Sequence, residues 1–343
     1  MAIIGDGKRY AEFEFSSEQE FEDDIVAASK ELFSDNIVFI NPKKKIESKS
    51  LGGVIPDGFF FDFGDPTDPQ FYIVEVELTS HSFFSHVFPQ VTKFFAFFYN
   101  TRLQKSLVDK LFSIIDEDKD LRKEFKRFLG KAEIYKFLSD IIETNQNILL
   151  IADGAFKELS EIMDTYTDTW GKLVKFLEIR KYVSGKNTVY TINPDFDSIQ
   201  YVDVSVDVEV TIDEGITYTE EFHLEGVTDD ARDIYQRIKE IALEIDGELI
   251  FNPQKYYISI RTNRNIAFFI IRKKKVRFIA MLPEDDIRNI CKYYTVVSLS
   301  QGVQDFYYGP CAAVNVVDLS HEDEIKELLN ALVEYHKDDL PKE

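Results

Sequence analysis

Eight residues, Phe71 to Leu78 (FYIVEVEL), constrain the fold more tightly than any other part of the chain. Side chains alternate across a strand, so Glu75 and Glu77 share one face while Val74, Val76 and Leu78 take the other. Two carboxylates on one face of an apolar strand are expensive to bury unless a cation or a partner compensates. An earlier strand, Val54 to Phe63, carries Asp57 directly after Pro56. The turn Gly64-Asp65-Pro66-Thr67-Asp68-Pro69 reverses the chain between the two strands. Ser85 to Asn100 then reads as a helix with Phe88, Val91, Phe94, Phe95 and Phe98 directed inward. Gln90 lies among these aromatics, where a side-chain amide needs a hydrogen-bond partner.

Hard divalent cations take oxygen ligands, and Mg²⁺ is typically held by one or two carboxylates with water and substrate phosphate oxygens. Phosphodiester hydrolysis needs a cation to acidify the attacking water and to neutralise charge on the phosphorane. Asp57 and Glu75 on adjacent strands suit that pair, with the Val76 carbonyl as a third oxygen and Glu77 as a second-metal ligand or general base. Read blandly, the same acids are solvated residues of an exposed sheet face, or are paired with Lys or Arg.

The order Pro56-Asp57, then Glu75-Val76-Glu77 on the next strand, then a helix bearing Gln90, resembles the PD-(D/E)xK nuclease superfamily. The resemblance implies a restriction-endonuclease-like α/β domain in which Asp57 and Glu75 hold Mg²⁺ or Mn²⁺. It also implies a Lys two residues beyond Glu75, where this chain has Glu77, an E-x-E variant that occurs in some active restriction enzymes. Gln90 resembles a Gln that completes the active site in several such families. The resemblance also allows Lys93, one turn on, to stand in for the strand lysine, since that residue migrates onto this helix in some members. Members of the superfamily often present an acid from the first helix, a role for which Glu22 is the first candidate and Glu18 the second. On spacing alone, both are residues of a solvated acidic helix face.

That first helix begins at Ser17. Ser17-x-x-Glu20 is a capping box that commits Glu20 to the helix N-terminus. Phe21, Ile25, Ala28 and Leu32 then form the buried stripe. After the hairpin, Thr101 to Asn145 looks helical, Asn147 to Ala152 (NILLIA) suits a strand buried on both faces, and Ala155 to Met163 reads as a helix. Leu173 to Tyr182 mixes helix and strand signals. The α/β core is expected over residues 1–197.

A composition shift opens a second, smaller α+β domain, residues 198–343. Tyr201 to Ile212 (YVDVSVDVEVTI) alternates Val with polar residues, as a half-buried strand does. A helix follows over Thr228 to Ile245, then strand-like runs over Gly247 to Phe251, Tyr256 to Arg261, Ile266 to Ile271 and Val276 to Leu282. A short helix near Glu284, a strand over Ala312 to Leu319 and a helix over Glu322 to Tyr335 complete the pattern. The pieces Lys255-Tyr256-Tyr257-Ile258 and Asn265-Ile266-Ala267-Phe268-Phe269, with the closing strand and helix, resemble the DUF5655 domain over Thr217 to Tyr335. The resemblance locates the domain without saying what it does; its residues show no catalytic constellation, and a binding or dimerisation module is the preferred reading.

The 343 residues, 44% of them hydrophobic, supply apolar mass for two domains. No apolar run approaches membrane-spanning length, and the N-terminus lacks a signal-peptide pattern. Cys291 and Cys311 form no disulfide or zinc framework and suit a cytoplasmic, reducing compartment. The five histidines are scattered. His81 and His86 lie within reach of the cleft, but read as ordinary loop and helix-start residues.

A formal charge of −22 is unusual for a nucleic-acid binder, since phosphate neutralisation supplies much of the affinity. Candidate basic patches are Lys43-Lys44-Lys45 with Lys49, then Lys123 with Arg127, and Arg272-Lys273-Lys274-Lys275-Val276-Arg277. Taken singly, each reads first as a solubilising turn or helix face. Three functions therefore stand together. The first is a Mg²⁺-dependent nuclease acting on DNA, in prokaryotic defence or repair. The second is a nuclease-like fold without catalysis that binds nucleic acid or protein. The third is a subunit, homodimeric or in a larger complex, whose partners supply the DNA contacts.

Overall fold

The structure is a computed structural model that describes residues 2–41, 55–66, 68–98, 100–196, 199, 218–254, 256–299 and 301–337. The lysines at 43–45 and 49, the alternating strand at 201–212 and the position 197/198 lie outside the described residues. The chain divides into two compact units, residues 1–207 and 208–343.

In the first unit, β1 (Ala2–Gly5) and β2 (Lys8–Glu12) form a hairpin that precedes α1 (Glu18–Phe33). Next come β3 (Ile37–Ile40), β4 (Gly58–Asp62) and β5 (Gln70–Glu77). A π-helical turn, Phe83–Val87, leads into α2 (Phe88–Phe98). The stretch predicted as one helical region, 101–145, contains α3 (Thr101–Glu117), α4 (Lys119–Leu129) and α5 (Ile134–Thr144). Asp118 breaks it by capping α4, accepting from the N–H groups of Asp120 and Leu121. Gly130 ends α4 at φ 57°, a conformation that glycine adopts without a steric penalty. Then follow β6 (Asn147–Ala152), α6 (Leu159–Thr165), β7 (Val174–Ser184) and β8 (Asn187–Asn193). The segment with mixed signals is thus a strand. Its Phe176, Leu177 and Ile179 supply both faces of a buried sheet, which overrides any helical preference.

Among the described residues the sheet has eight strands, ordered β1-β2-β7-β6-β5-β4-β3, with β8 also on β7. The central strands β5, β6 and β7 are parallel, and the other pairs are antiparallel. Parallel neighbours require crossovers, and helices α2 to α5 fill the one between β5 and β6. Each face of the sheet has its own apolar layer. Phe59, Phe61, Phe71, Ile73, Ile148 and Leu150 pack with α2 to α5. Phe60, Tyr72, Val74, Val76, Leu149 and Ile151 pack with Phe21, Ile25 and Leu32 of α1. Both faces of β5 are therefore buried, and the parity of Glu75 and Glu77 turns them toward the layer that holds α2.

Gly58 begins β4 beside Asp57, and a Cβ there would lie 2.1 Å from the Phe39 ring. That ring packs edge-on against Phe60, with centroids 4.8 Å apart, so it cannot move without disturbing the core. Gly58→Ala is expected to cost about 1–3 kcal/mol from overpacking, measured by urea unfolding. A loss below about 0.5 kcal/mol would show that Phe39 yields easily.

Among the described residues of the second unit, α7 (Glu220–Leu224) and α8 (Asp229–Ile245) precede a six-stranded antiparallel sheet. Its strands are β9 (Ile250–Pro253), β10 (Ile258–Arg261), β11 (Asn265–Arg272), β12 (Lys275–Ala280), β13 (Thr295–Ser298) and β14 (Ala312–Val316). Their order is β13-β14-β12-β11-β10-β9. The helices α9 (Glu284–Ile290), α10 (Gln301–Phe306) and α11 (Glu322–Tyr335) complete the unit. Strand β13 and helices α7 and α10 were not expected from the sequence. All are short, from 4 to 6 residues, and carry too few periods to register a pattern. The chain is thus mixed α/β, with a central mixed sheet and a separate smaller antiparallel sheet. No helix among the described residues is long and apolar enough to cross a membrane.

Candidate metal centre

The site assembles where β4 and β5 run side by side. Gly58 pairs with Val74, so Asp57 falls opposite Glu75 on the same face of the ladder. Asp57 lies just before the strand, where its N–H donates to the Val74 carbonyl at 3.1 Å. Its Oδ2 accepts from the Val76 N–H at 2.8 Å, which fixes the direction of the carboxylate. Asp57, Glu75 and Glu77 are all buried. The alternation read from FYIVEVEL holds: Val74, Val76 and Leu78 all join the opposite core layer.

Gln90 reaches this group from α2. Only one orientation of its amide gives every polar atom a complementary partner. In it the nitrogen donates to Glu77 Oε1 at 2.9 Å and to Glu75 Oε1, and the oxygen accepts from His86 Nε2 at 3.3 Å. The amide among aromatics therefore finds its partner in the carboxylates. Lys93, one turn on, is exposed.

From α1 it is Glu18, not Glu22, that joins the histidines beside Glu77. Glu18, Glu77, His81 and His86 each offer a ligand atom, and these four atoms lie within 4.8 Å of one another. Glu22 is fully buried, and its carboxylate accepts from Gln19 Nε2 at 3.3 Å and Asn41 Nδ2 at 3.4 Å. Ser17 caps α1 through the Glu20 N–H, while Glu20 accepts from the N–H and hydroxyl of Ser16, both at 2.7 Å. The expected capping box is displaced by one residue, and Glu20 is still committed to the helix start.

His81 and His86, set aside in the sequence as ordinary residues, both contact Glu77. His81 Nδ1 lies 3.1 Å from Glu77 Oε2, and His86 Nε2 lies 3.3 Å from Glu77 Oε1. Two local features bring them there. The His81 N–H closes a tight turn onto the Leu78 carbonyl at 2.9 Å. The wide π-turn over Phe83–Val87, just ahead of Pro89, then presents His86 to the strand end. The spacing Glu77-x3-His81-x4-His86 was visible, but without the turn geometry it did not converge.

Burial raises Glu77 from the usual carboxylate range to about 7; the His81 hydrogen bond opposes this, and the negative charges of Glu18 and Asp57 add to it. A carboxyl poised near neutrality at the end of a central parallel strand can exchange protons with a ligand in the crevice there.

Of the basic runs, Lys123 and Arg127 are exposed on α4, with Arg127 donating to the Asp35 carbonyl at 2.9 Å. In the run from Arg272 to Arg277 only Lys274 is exposed and Arg277 is buried. That run is the hairpin between β11 and β12, in which Arg272, Lys273 and Lys275 are half-buried and Val276 and Arg277 are buried.

Residues 220–295 match the family model described as a domain of unknown function, DUF5655. An uncharacterized protein of Haemophilus influenzae is 22% identical over 210 residues, spanning 60% of this chain and 68% of that protein. No solved structure matches the chain.

Proposed function

We propose that the first domain, residues 1–197, is a PD-(D/E)xK-type, restriction-endonuclease-like nuclease that hydrolyses DNA phosphodiester bonds with Mg²⁺ or Mn²⁺. The observation that carries this reading is the buried meeting of Asp57, Glu75 and Glu77, with Gln90 bonded to both glutamates. Three carboxylates in one buried group repel one another, and an all-oxygen donor set suits a hard divalent cation. The mixed sheet flanked by α1 and α2 is the frame on which the resemblance expects such acids.

Asp57 and Glu75 are the residues that hold the cation. When bound, it neutralises charge on the phosphorane and lowers the pKa of the attacking water. The Val76 N–H keeps the Asp57 carboxylate aimed. Gln90 fixes the rotamers of Glu75 and Glu77. Glu77 stands where the family pattern has Lys, and its pKa of about 7 suits a proton acceptor at neutral pH. The second domain serves as a binding or dimerisation module.

A second reading, a nuclease-like fold without catalysis that binds nucleic acid or protein, draws on two observations. Both oxygens of Glu77 are engaged by histidines, and the chain carries a charge of −22. Calorimetric titration of Mg²⁺ and Mn²⁺ into wild type and Asp57→Asn separates the two. Binding with wild type that is lost in the variant supports the nuclease. No binding to wild type, either alone or with short duplex DNA present, leaves the binding module.

A further inference from the structure

We propose that Glu18, Glu77, His81 and His86 form a site for a four-coordinate transition-metal ion of the Zn²⁺ class. This site is separate from the hard-cation pair Asp57 and Glu75 and stands whether or not the domain cuts DNA. The argument begins with the donors. Two imidazoles and two carboxylates are a nitrogen–oxygen set that suits Zn²⁺ and its neighbours, whereas Mg²⁺ prefers oxygen alone. Neutral imidazoles with two carboxylates also balance a dication.

Geometry supports the same conclusion. Zn–N and Zn–O bonds of about 2.1 Å in a tetrahedron place neighbouring donors about 3.4 Å apart. Here His81 Nδ1 lies 3.1 Å from Glu77 Oε2 and 3.3 Å from Glu18 Oε2. His86 Nε2 lies 3.3 Å from Glu77 Oε1 and 3.7 Å from Glu18 Oε2. The two histidines meet different oxygens of Glu77, and with one ligand atom taken from each residue all four lie within 4.8 Å of one another, so side-chain rotation brings them onto one cation. The two ring nitrogens also face oxygen acceptors, a setting complementary to positive charge. The rings are 4.8 Å apart at 71°, so they approach the common centre from different directions.

The backbone holds the donors in place. Glu77 ends a strand paired on both sides, Glu18 opens a capped helix, His81 closes a hydrogen-bonded turn and His86 sits in the π-turn. Gln90 donates to Glu77 Oε1 at 2.9 Å, which gives that donor an outer support, while its contact with His86 Nε2 must open when that nitrogen turns to a cation. Glu77 is the one residue common to both proposed sites. Where the nuclease reading also holds, Zn²⁺ here takes Glu77 out of proton transfer and acts as an inhibitor.

The test uses the full chain, with Zn²⁺ followed by calorimetry and Co²⁺ followed by its visible absorption. Wild type is expected to bind one Zn²⁺ and to give a tetrahedral Co²⁺ spectrum that Zn²⁺ abolishes. His81→Ala and His86→Ala should each weaken Zn²⁺ at least tenfold, while Asp57→Asn keeps both the affinity and the spectrum. Both histidines are partly exposed, at 34% and 41%, so the single variants should retain the fold. Absence of stoichiometric Zn²⁺ binding by wild type would overturn the proposal. So would single histidine variants that are folded by circular dichroism and bind within threefold of wild type. Because Asp57→Asn removes only the hard-cation site, failure here is distinguishable from failure of the nuclease reading.

Discussion

Asp57→Asn is expected to lower Mg²⁺-dependent DNA cleavage at least about a thousandfold, a loss of about 4 kcal/mol in transition-state stabilisation. The carboxylate is one of two proposed cation ligands, and its exchange for a neutral amide of the same shape removes charge but not volume. The amide oxygen can still accept the Val76 N–H that now bonds Oδ2 at 2.8 Å, so the strand geometry should persist. Glu75→Gln should behave alike, since Gln90 can turn to bond an amide as readily as a carboxylate. The measurement is single-turnover cleavage of labelled duplex and single-stranded DNA, with unfolding midpoints recorded beside it. Activity within about tenfold of wild type in a folded Asp57→Asn protein would remove Asp57 from the chemistry. If wild type itself cleaves nothing under Mg²⁺ or Mn²⁺, the binding-module reading takes its place.

The sequence carried the site unevenly, for reasons that lie in its residues. Strand residues 71–78 alternate around two acids, and a period of two survives any tertiary context, so the partition of Glu75 and Glu77 from Val74, Val76 and Leu78 followed directly. Asp57 was singled out because Pro56-Asp57 ahead of Glu75-Val76-Glu77 resembles a family pattern; the register that puts it opposite Glu75 comes from the fold. The helix from Glu322 to Tyr335 emerged at its predicted bounds because its apolar stripe is long and regular. The histidines failed to emerge for a different reason. Their convergence depends on a four-residue turn and a π-helical step, and neither has a period that a sequence displays. The meeting of Glu18 with the histidines was out of reach for the same reason. It depends on the angle at which α1 passes the strand end, which is set by packing of Phe21 and Ile25 on the sheet. Buried basic residues misled in the opposite direction: Arg277 belongs to a run that looks cationic, yet it is a strand residue turned into the second unit.

The metal-free protein should lose stability as pH rises from about 4.5 to about 7, and Glu77→Gln should abolish most of that loss. Unfolded, the Glu77 carboxyl ionises near its ordinary value of 4.5, whereas in the folded protein it does so at about 7. Between those values the folded state holds a proton that the unfolded state has released. Stability therefore falls with pH across that window and is level on either side of it. At about 1.4 kcal/mol per pH unit the whole fall amounts to about 3 kcal/mol. The glutamine of the variant would keep the contacts, its oxygen accepting from Gln90 and its amide facing His81 Nδ1. The variant should then match wild type near pH 4.5 and exceed it by about 2–3 kcal/mol at pH 8, as read from urea midpoints in the presence of chelator. Metal reverses the comparison, because a cation that binds the ionised carboxylate stabilises wild type in proportion to its occupancy and finds a weaker site in the variant. A wild-type stability that is flat between pH 4.5 and 7 would mean that Glu77 ionises in the fold as easily as in water. The burial of three carboxylates would then no longer argue for a cation.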